Sequence, residues 1–238
     1  GSRMLIDGTP EGNRMTVFGW DDRPGEVHND GTSLVGPKVV LDQVHNLAVV
    51  EGRGFLVIPA ASDFSGTELR QPEVVVVQFR DRMQFEGAKK TAEFFGKVSA
   101  KQGESWVTCH TLQVVFDRPV YFTQANRPAA AGARADGDKP KVDVVRCYPA
   151  PADAADTAQE KLVAFHQVEH DPQTGRPVRW QKLVALELEL LAQFRDDGRG
   201  EPYRRRTADG PGTVRIWQPG AQDDGPAAAP PPRPPGAA

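Results

Sequence analysis

Apolar and polar residues alternate along most of this chain. In residues 91–100, Ala92, Phe94, Gly96, Val98 and Ala100 share one face, and Thr91, Glu93, Lys97 and Ser99 share the other. Only Phe95 breaks the rule. That period of two predicts a half-buried strand. Lys101-Gln102-Gly103-Glu104 is a polar turn with a glycine, and Trp106 to Phe116 is rich in β-branched and aromatic residues. The two arms therefore predict a hairpin over 91–117. The same rhythm predicts strands near 34–42, 46–58, 73–86, 162–170, 179–191 and 203–217. Helical periodicity competes in Leu183–Leu191, but the repeats described next favour a strand there.

Two short patterns recur. The first is apolar-x-small-x-x-apolar-x-apolar: Leu34, Gly36, Val39, Leu41; then Val107, Cys109, Leu112, Val114; then Leu183, Ala185, Leu188, Leu190. Its three-residue step inside a two-residue rhythm predicts a bulge. The second runs Val50, Gly52, Gly54, Leu56, Ile58 and again Ala208, Gly210, Gly212, Val214, Ile216. Glycines on an inward face allow a sharp bend or a close backbone approach. Recurrence of this kind indicates stacked supersecondary units. Gly96 occupies an equivalent position, so Gly96→Val is expected to overpack by about 1–3 kcal/mol and Gly96→Ala to cost less.

Three regions divide the chain. Residues 1–31 read as an irregular N-terminal segment with one short strand, Met15–Trp20. Residues 32–218 hold the strands, interrupted by Ala/Gly/charge-rich loops at 124–141 and 149–160. Residues 219–238, rich in Pro, Ala and Gly, predict a disordered tail of polyproline II character. The first loop and the tail are expected to be cut first in limited proteolysis.

Composition narrows the function. The chain has 238 residues, is 39% hydrophobic and carries a formal net charge of −3. Gly 23 and Pro 21 favour turns over helices. A charge so near neutrality leaves no footprint for nucleic acid. No run reaches the roughly 20 apolar residues of a membrane helix. Gly1-Ser2-Arg3-Met4 reads as a tag remnant, so the lack of a visible export signal says little about location.

Candidate chemistry is sparse. Cys109 and Cys147 are either partners in a disulfide or two buried free thiols. His166 and His170, beside Glu169 and Asp171, resemble a metal cluster. On a strand, however, the two imidazoles lie about 13 Å apart, too far for one ion. Cys109 and His110 are adjacent and point to opposite faces, which argues against a thiolate–imidazole pair. The glycines around Gly52 and Gly54 lack the lysine of a phosphate loop. Arg204-Arg205-Arg206 is a basic run, either a solvated strand end, the favoured reading, or a contact for an anionic headgroup. No catalytic residue, metal site or cofactor is expected.

The chain resembles the OstA-like family, the periplasmic lipopolysaccharide-transport proteins of the LptA and LptC type. The stretches that carry the resemblance are Met83-Gln84-Phe85-Glu86-Gly87, Ala92-Glu93-Phe94-Phe95-Gly96-Lys97-Val98 and Val107-x-Cys109-x-x-Leu112-x-Val114. Gln181-Lys182-Leu183-Val184-Ala185 and Gly210-Pro211-Gly212-Thr213-Val214-Arg215-Ile216 match as well. The two loops are long for that family and the Pro-rich tail lies outside it. The resemblance implies an all-β open antiparallel β-jellyroll with U-shaped sheets and an apolar interior. It also implies a periplasmic or cell-envelope location, a non-enzymatic role and a lipid or lipopolysaccharide-like ligand. Head-to-tail edge pairing with itself or with other transport proteins follows in the same way.

In such a fold the groove is expected to be lined by Val39, Leu41, Phe85, Phe94, Val98, Leu112, Val114, Phe116, Leu188 and Leu190. These side chains either line a lipid groove or simply fill a core. The second possibility would make the protein a structural or protein-interaction module without a lipid.

Overall fold

A computed structural model describes residues 3–64, 68–121, 140–151, 161–171, 174–191, 195–196, 202–203 and 206–217. Most of the proposed loop at 124–141, much of that at 149–160, Arg204, Arg205 and the tail from 219 lie outside the described residues. Among those described there is no helix.

The N-terminal strands are β1 (Arg3–Thr9), β2 (Gly12–Phe18), β3 (Gly25–Asn29), β4 (Thr32–Gly36), β5 (Lys38–Asp42), β6 (Leu47–Glu51) and β7 (Gly54–Ser62). The central ones are β8 (Glu68–Phe79), β9 (Arg82–Glu86), β10 (Thr91–Gln102), β11 (Ser105–Phe116) and β12 (Val142–Tyr148). Then follow β13 (Val163–His170), β14 (Pro177–Ala185), β15 (Glu187–Leu191), β18 (Arg206–Asp209) and β19 (Thr213–Trp217). β16 (Arg195–Asp196) and β17 (Pro202–Tyr203) pair only with each other.

All pairings are antiparallel, and they sort into two arms. In the first arm the order is β1-β2-β5-β6-β9, then the first half of β10, the second half of β11, β12, β15 and β18. In the second it is β3-β4-β7-β8, then the second half of β10, the first half of β11, β13, β14 and β19. The outermost strands of the two arms do not close on each other, so the fold is all-β, antiparallel and open.

The bends explain both recurring patterns. Each long hydrophobic run crosses from one arm to the other, and the chain kinks where it crosses. Pro37 breaks 34–42 into β4 and β5, and Gly52-Arg53 breaks 46–58 into β6 and β7. Arg80-Asp81 divides β8 from β9, and Leu186 divides β14 from β15. β10 and β11 stay continuous but shift register between Phe95 and Val98. There Gly96 (φ 79°) and Lys97 (φ 49°) take left-handed backbone conformations. The three-residue step in the sequence is the crossing itself.

Residues 3–29 hold three strands where the hydrophobic pattern marks one. β1 is exposed along its whole length, and β3 on both faces of its second half. Neither strand alternates cleanly because neither has a partner on its outer side. The final copy of the second pattern is likewise exposed from Ala208 to Ile216. Phe95, the exception in the central strand, lies on the outer face, where the Arg82 guanidinium sits 4.9 Å from its ring centroid.

Turns at the arm tips are held by carboxylates. Asp42 accepts from the His45 backbone N–H at 3.0 Å and pairs with its Nδ1 at 2.9 Å. Burial pushes the Asp42 carboxyl up, but these bonds, with Arg14 nearby, hold it below its ordinary value of 3.8. At Asp117 burial acts in the same upward direction, and Arg118 and the Lys141 N–H outweigh it. Both folded values lie below the unfolded ones. Their stabilising effect is therefore present above the unfolded value and lost as pH falls through the folded one. The urea midpoint should be flat from about pH 7 to 5 and drop below about pH 4. A midpoint that holds unchanged to about pH 2 would contradict this.

Candidate apolar interior

Following the register across the first arm gives one unbroken inward row. It reads Met4, Val17, Val39, Val50, Met83, Phe94, Leu112, Cys147, Leu188, Ala208. The second arm faces it with Val27, Leu34, Leu56, Val77, Ala100, Val107, Phe165, Leu183, Val214. No position in either row carries a polar side chain. Each residue sits directly opposite its neighbour on the same face of the sheet, which is the closest side-chain approach that a sheet allows.

Burial along these rows is uneven. Phe94 and Phe165 are 1% exposed, and Val39 and Val50 are fully buried. At the N-terminal end Met4 is 57% exposed and its neighbour Ile6 58%. At the C-terminal end Val214 is 63% exposed and Ile216 54%. The inward apolar face therefore runs the length of the molecule, covered in the middle and uncovered at both ends.

All ten residues expected to line a groove lie in one hydrophobic cluster. Val39, Phe85, Phe94, Val98, Leu112, Leu188 and Leu190 are buried in it. Leu41, Val114 and Phe116 pack against it half-buried. Phe94 tilts against Phe79 at 5.9 Å between ring centroids, and Phe85 meets Phe116 edge-on at 6.0 Å. Phe64, between β7 and β8, and Val120, after β11, also pack against the cluster. The Asn46 side-chain amide donates to the Val120 carbonyl, and the Val120 N–H donates to the Gly87 carbonyl at 3.0 Å.

Sequence reasoning missed a buried polar row. At the tip-side edge of the second arm, Gln102 pairs with Ser105, and Gln167 pairs with Gln181, which in turn faces Ile216. The Ser105 hydroxyl accepts from the Val168 N–H at 3.1 Å, which joins the two halves of the row. All four side chains are buried. Gln181 Nε2 donates to Gln167 Oε1 at 3.1 Å, and Gln167 Nε2 to Asp63 Oδ2 at 3.3 Å. Gln102 Nε2 donates to the Ser62 carbonyl at 3.0 Å, while Gln102 Oε1 has no partner. Phe165-x-Gln167 and Gln181-x-Leu183 put these amides in phase with the apolar face, which was the available signal. The interior is thus amphipathic, apolar toward the bends and lined with amides toward the tips.

Gln167→Leu should lower stability by about 1–3 kcal/mol, because it removes a buried partner from both Gln181 and Asp63. Gln167→Leu/Gln181→Leu should recover part of that loss. A double variant whose denaturant midpoint falls by the sum of the singles would contradict the coupling.

The outer face of the first arm is polar. Gln113 Nε2 donates to Glu93 at 2.9 Å, Arg146 Nη1 to Gln113 at 3.2 Å and Arg146 Nε to Glu189 at 2.8 Å. On the outer face of the second arm His166 stacks on Trp106 at 5.7 Å and lies 6.0 Å from Trp180. His170 pairs with Glu104 at 3.1 Å, away from His166. Among the described residues no three His, Cys, Asp or Glu side chains gather as a metal site. Cys109 faces inward, whereas the His110 imidazole meets the Thr111 hydroxyl at 3.3 Å. Cys109 and Cys147 are both buried thiols, and they lie in the same hydrophobic cluster.

These strands and bends define an open antiparallel β-jellyroll. A solved structure similar to this chain is that of LptH from Pseudomonas aeruginosa, titled as the LptA-homologous periplasmic component of the conserved lipopolysaccharide transport device. The match has 15% identity and a TM-score of 0.35, and covers 60% of this chain and 92% of that one. A likeness of that order carries no argument about ligand or activity. No family model matches the chain, and no curated protein matches it.

Proposed function

We propose that this is a non-enzymatic protein of the periplasm or cell envelope that binds or bridges lipopolysaccharide-like amphiphiles. The observation that supports this reading most is the pair of apolar inward rows that stay uncovered at both ends. A soluble domain with a finished core has no reason to expose Met4, Ile6, Val214 and Ile216 on its inward face. An acyl chain laid there gains about 0.8 kcal/mol per methylene removed from water. The buried amides of Gln102, Gln167 and Gln181 mark the level where polar side chains replace the apolar row, as a polar head group would require.

The same ends suit assembly. β1 and β3 form one open edge, and β18 and β19 the other. Edge strands left unpaired invite a further strand. Joining the C-terminal edge of one copy to the N-terminal edge of the next would continue both apolar rows across the junction. Ile216→Lys should then weaken self-association at least tenfold in sedimentation measurements. A protein that is monomeric at all concentrations would remove self-assembly and leave pairing with a different transport protein.

A second reading is favoured by the burial of Phe94, Phe165 and Leu188, which leaves the middle of the interior filled. On that reading the protein is a solid all-β interaction module. Mass spectrometry of the protein purified under native conditions from a Gram-negative periplasm separates the two. The amphiphile reading predicts a copurifying acylated lipid in near-stoichiometric amount. Folded protein free of lipid would favour the interaction module.

A further inference from the structure

We propose that Cys109 and Cys147 form a disulfide that fastens the two arms together at the bend. The chain has two cysteines in all, and the fold brings both to one place. Cys109 ends the part of β11 that belongs to the second arm, opposite Val98 and one residue past the Thr108–Ala164 pair. Cys147 belongs to β12 in the first arm, opposite Leu112 on one side and Leu188 on the other. Both side chains point inward and are buried in the same hydrophobic cluster, on the inward rows of the two arms that lie nearest the bend.

β12, unlike its neighbour β11, is not itself carried across the bend by a short step of the chain. Between β4 and β5, β6 and β7, β8 and β9, and β14 and β15 the chain crosses the bend within a few residues. Between β12 and β13 it takes residues 149–162 to do so. A bond from Cys109 to Cys147 supplies the short crossing that β12 lacks.

The reaction is thiol–disulfide exchange with a disulfide-bonded oxidant such as oxidised glutathione or an oxidised dithiol oxidoreductase. One cysteine thiolate attacks an oxidant sulfur, and a mixed disulfide and one reduced thiol result. The second cysteine then attacks the mixed disulfide, which closes the Cys109–Cys147 bond and releases the second reduced thiol. Two electrons and two protons pass to the oxidant. In the folded protein the neighbouring Cys147 thiol and burial push the Cys109 thiol well above its ordinary value, so thiolate is scarce there. The exchange therefore belongs to folding, before the arms close over the sulfurs.

The test is to refold the full chain with oxidised glutathione, alkylate in denaturant and map the peptides without reduction. The expected result is one cross-linked pair containing Cys109 and Cys147, with the intact mass lower by two hydrogens. Reductant should lower the urea midpoint of this protein and leave that of Cys109→Ala and of Cys147→Ala unmoved. Two alkylated cysteines after that refolding, or glutathione on each, would overturn the proposal whether or not the variants fold.

Discussion

Replacing Gly54 with alanine should lower the unfolding free energy by about 2–3 kcal/mol, more than the same change at Gly96. A Cβ at Gly54 would lie 2.3 Å from the Val35 carbonyl oxygen and 2.8 Å from the Phe79 ring. Neither can step aside. Val35 is held in the β4–β7 ladder, and Phe79 is 2% exposed. At Gly96 the obstacle is different. A Cβ there would meet the Asp81 carboxylate at 2.2 Å, but that side chain is exposed and can swing away. What remains at Gly96 is its left-handed backbone, φ 79°, which costs an alanine about 1–2 kcal/mol. Gly96→Val should cost somewhat more than Gly96→Ala. The glycine is thus explained by the bend in β10 and not by a layer or ligand packed across from it. Denaturant unfolding at constant slope measures all three variants. Gly54→Ala as stable as the parent would contradict the account of the bends.

Phe94→Ala should cost about 3–5 kcal/mol, the upper range for deleting a buried aromatic ring. Phe94 stands at the centre of the first arm's inward row, between Met83 and Leu112, and tilts on Phe79 from the second arm. It therefore joins the arms where both are continuous through β10. Leu190→Ala, nearer the tips of the same arm, should cost about 2–4 kcal/mol. If Phe94→Ala loses less than 1 kcal/mol, the middle of the interior is not a packed core.

Much of the architecture was legible because a period of two needs only one buried face. Val107, Cys109, Leu112 and Val114 lie on the inward side, as do Leu183, Ala185, Leu188 and Leu190. The strand assigned to Leu183–Leu191 over a helix is a strand, broken at Leu186. Bends were legible only as a change of rhythm, because Pro37 and Gly52 mark a kink without saying where the two halves go. Edge strands were hidden for a physical reason. Arg3-Met4-Leu5-Ile6-Asp7 is exposed on both faces, so burial imposes no alternation on it. The buried row of Gln102, Gln167 and Gln181 was not legible, because a glutamine declares nothing about its partners until Asp63 and Ser62, distant in sequence, are brought beside it.

Whether the interior receives an amphiphile is decided by what touches its two ends. A photoreactive amino acid placed at Met4 or Val214 probes the inward rows, and one at Gln113 probes the outer face of the first arm. With purified rough lipopolysaccharide as the probe, irradiation should attach lipid at Met4 and at Val214 and leave Gln113 unlabelled. Equal labelling at Gln113, or no adduct at either end of the rows in folded protein, would contradict the amphiphile-binding account.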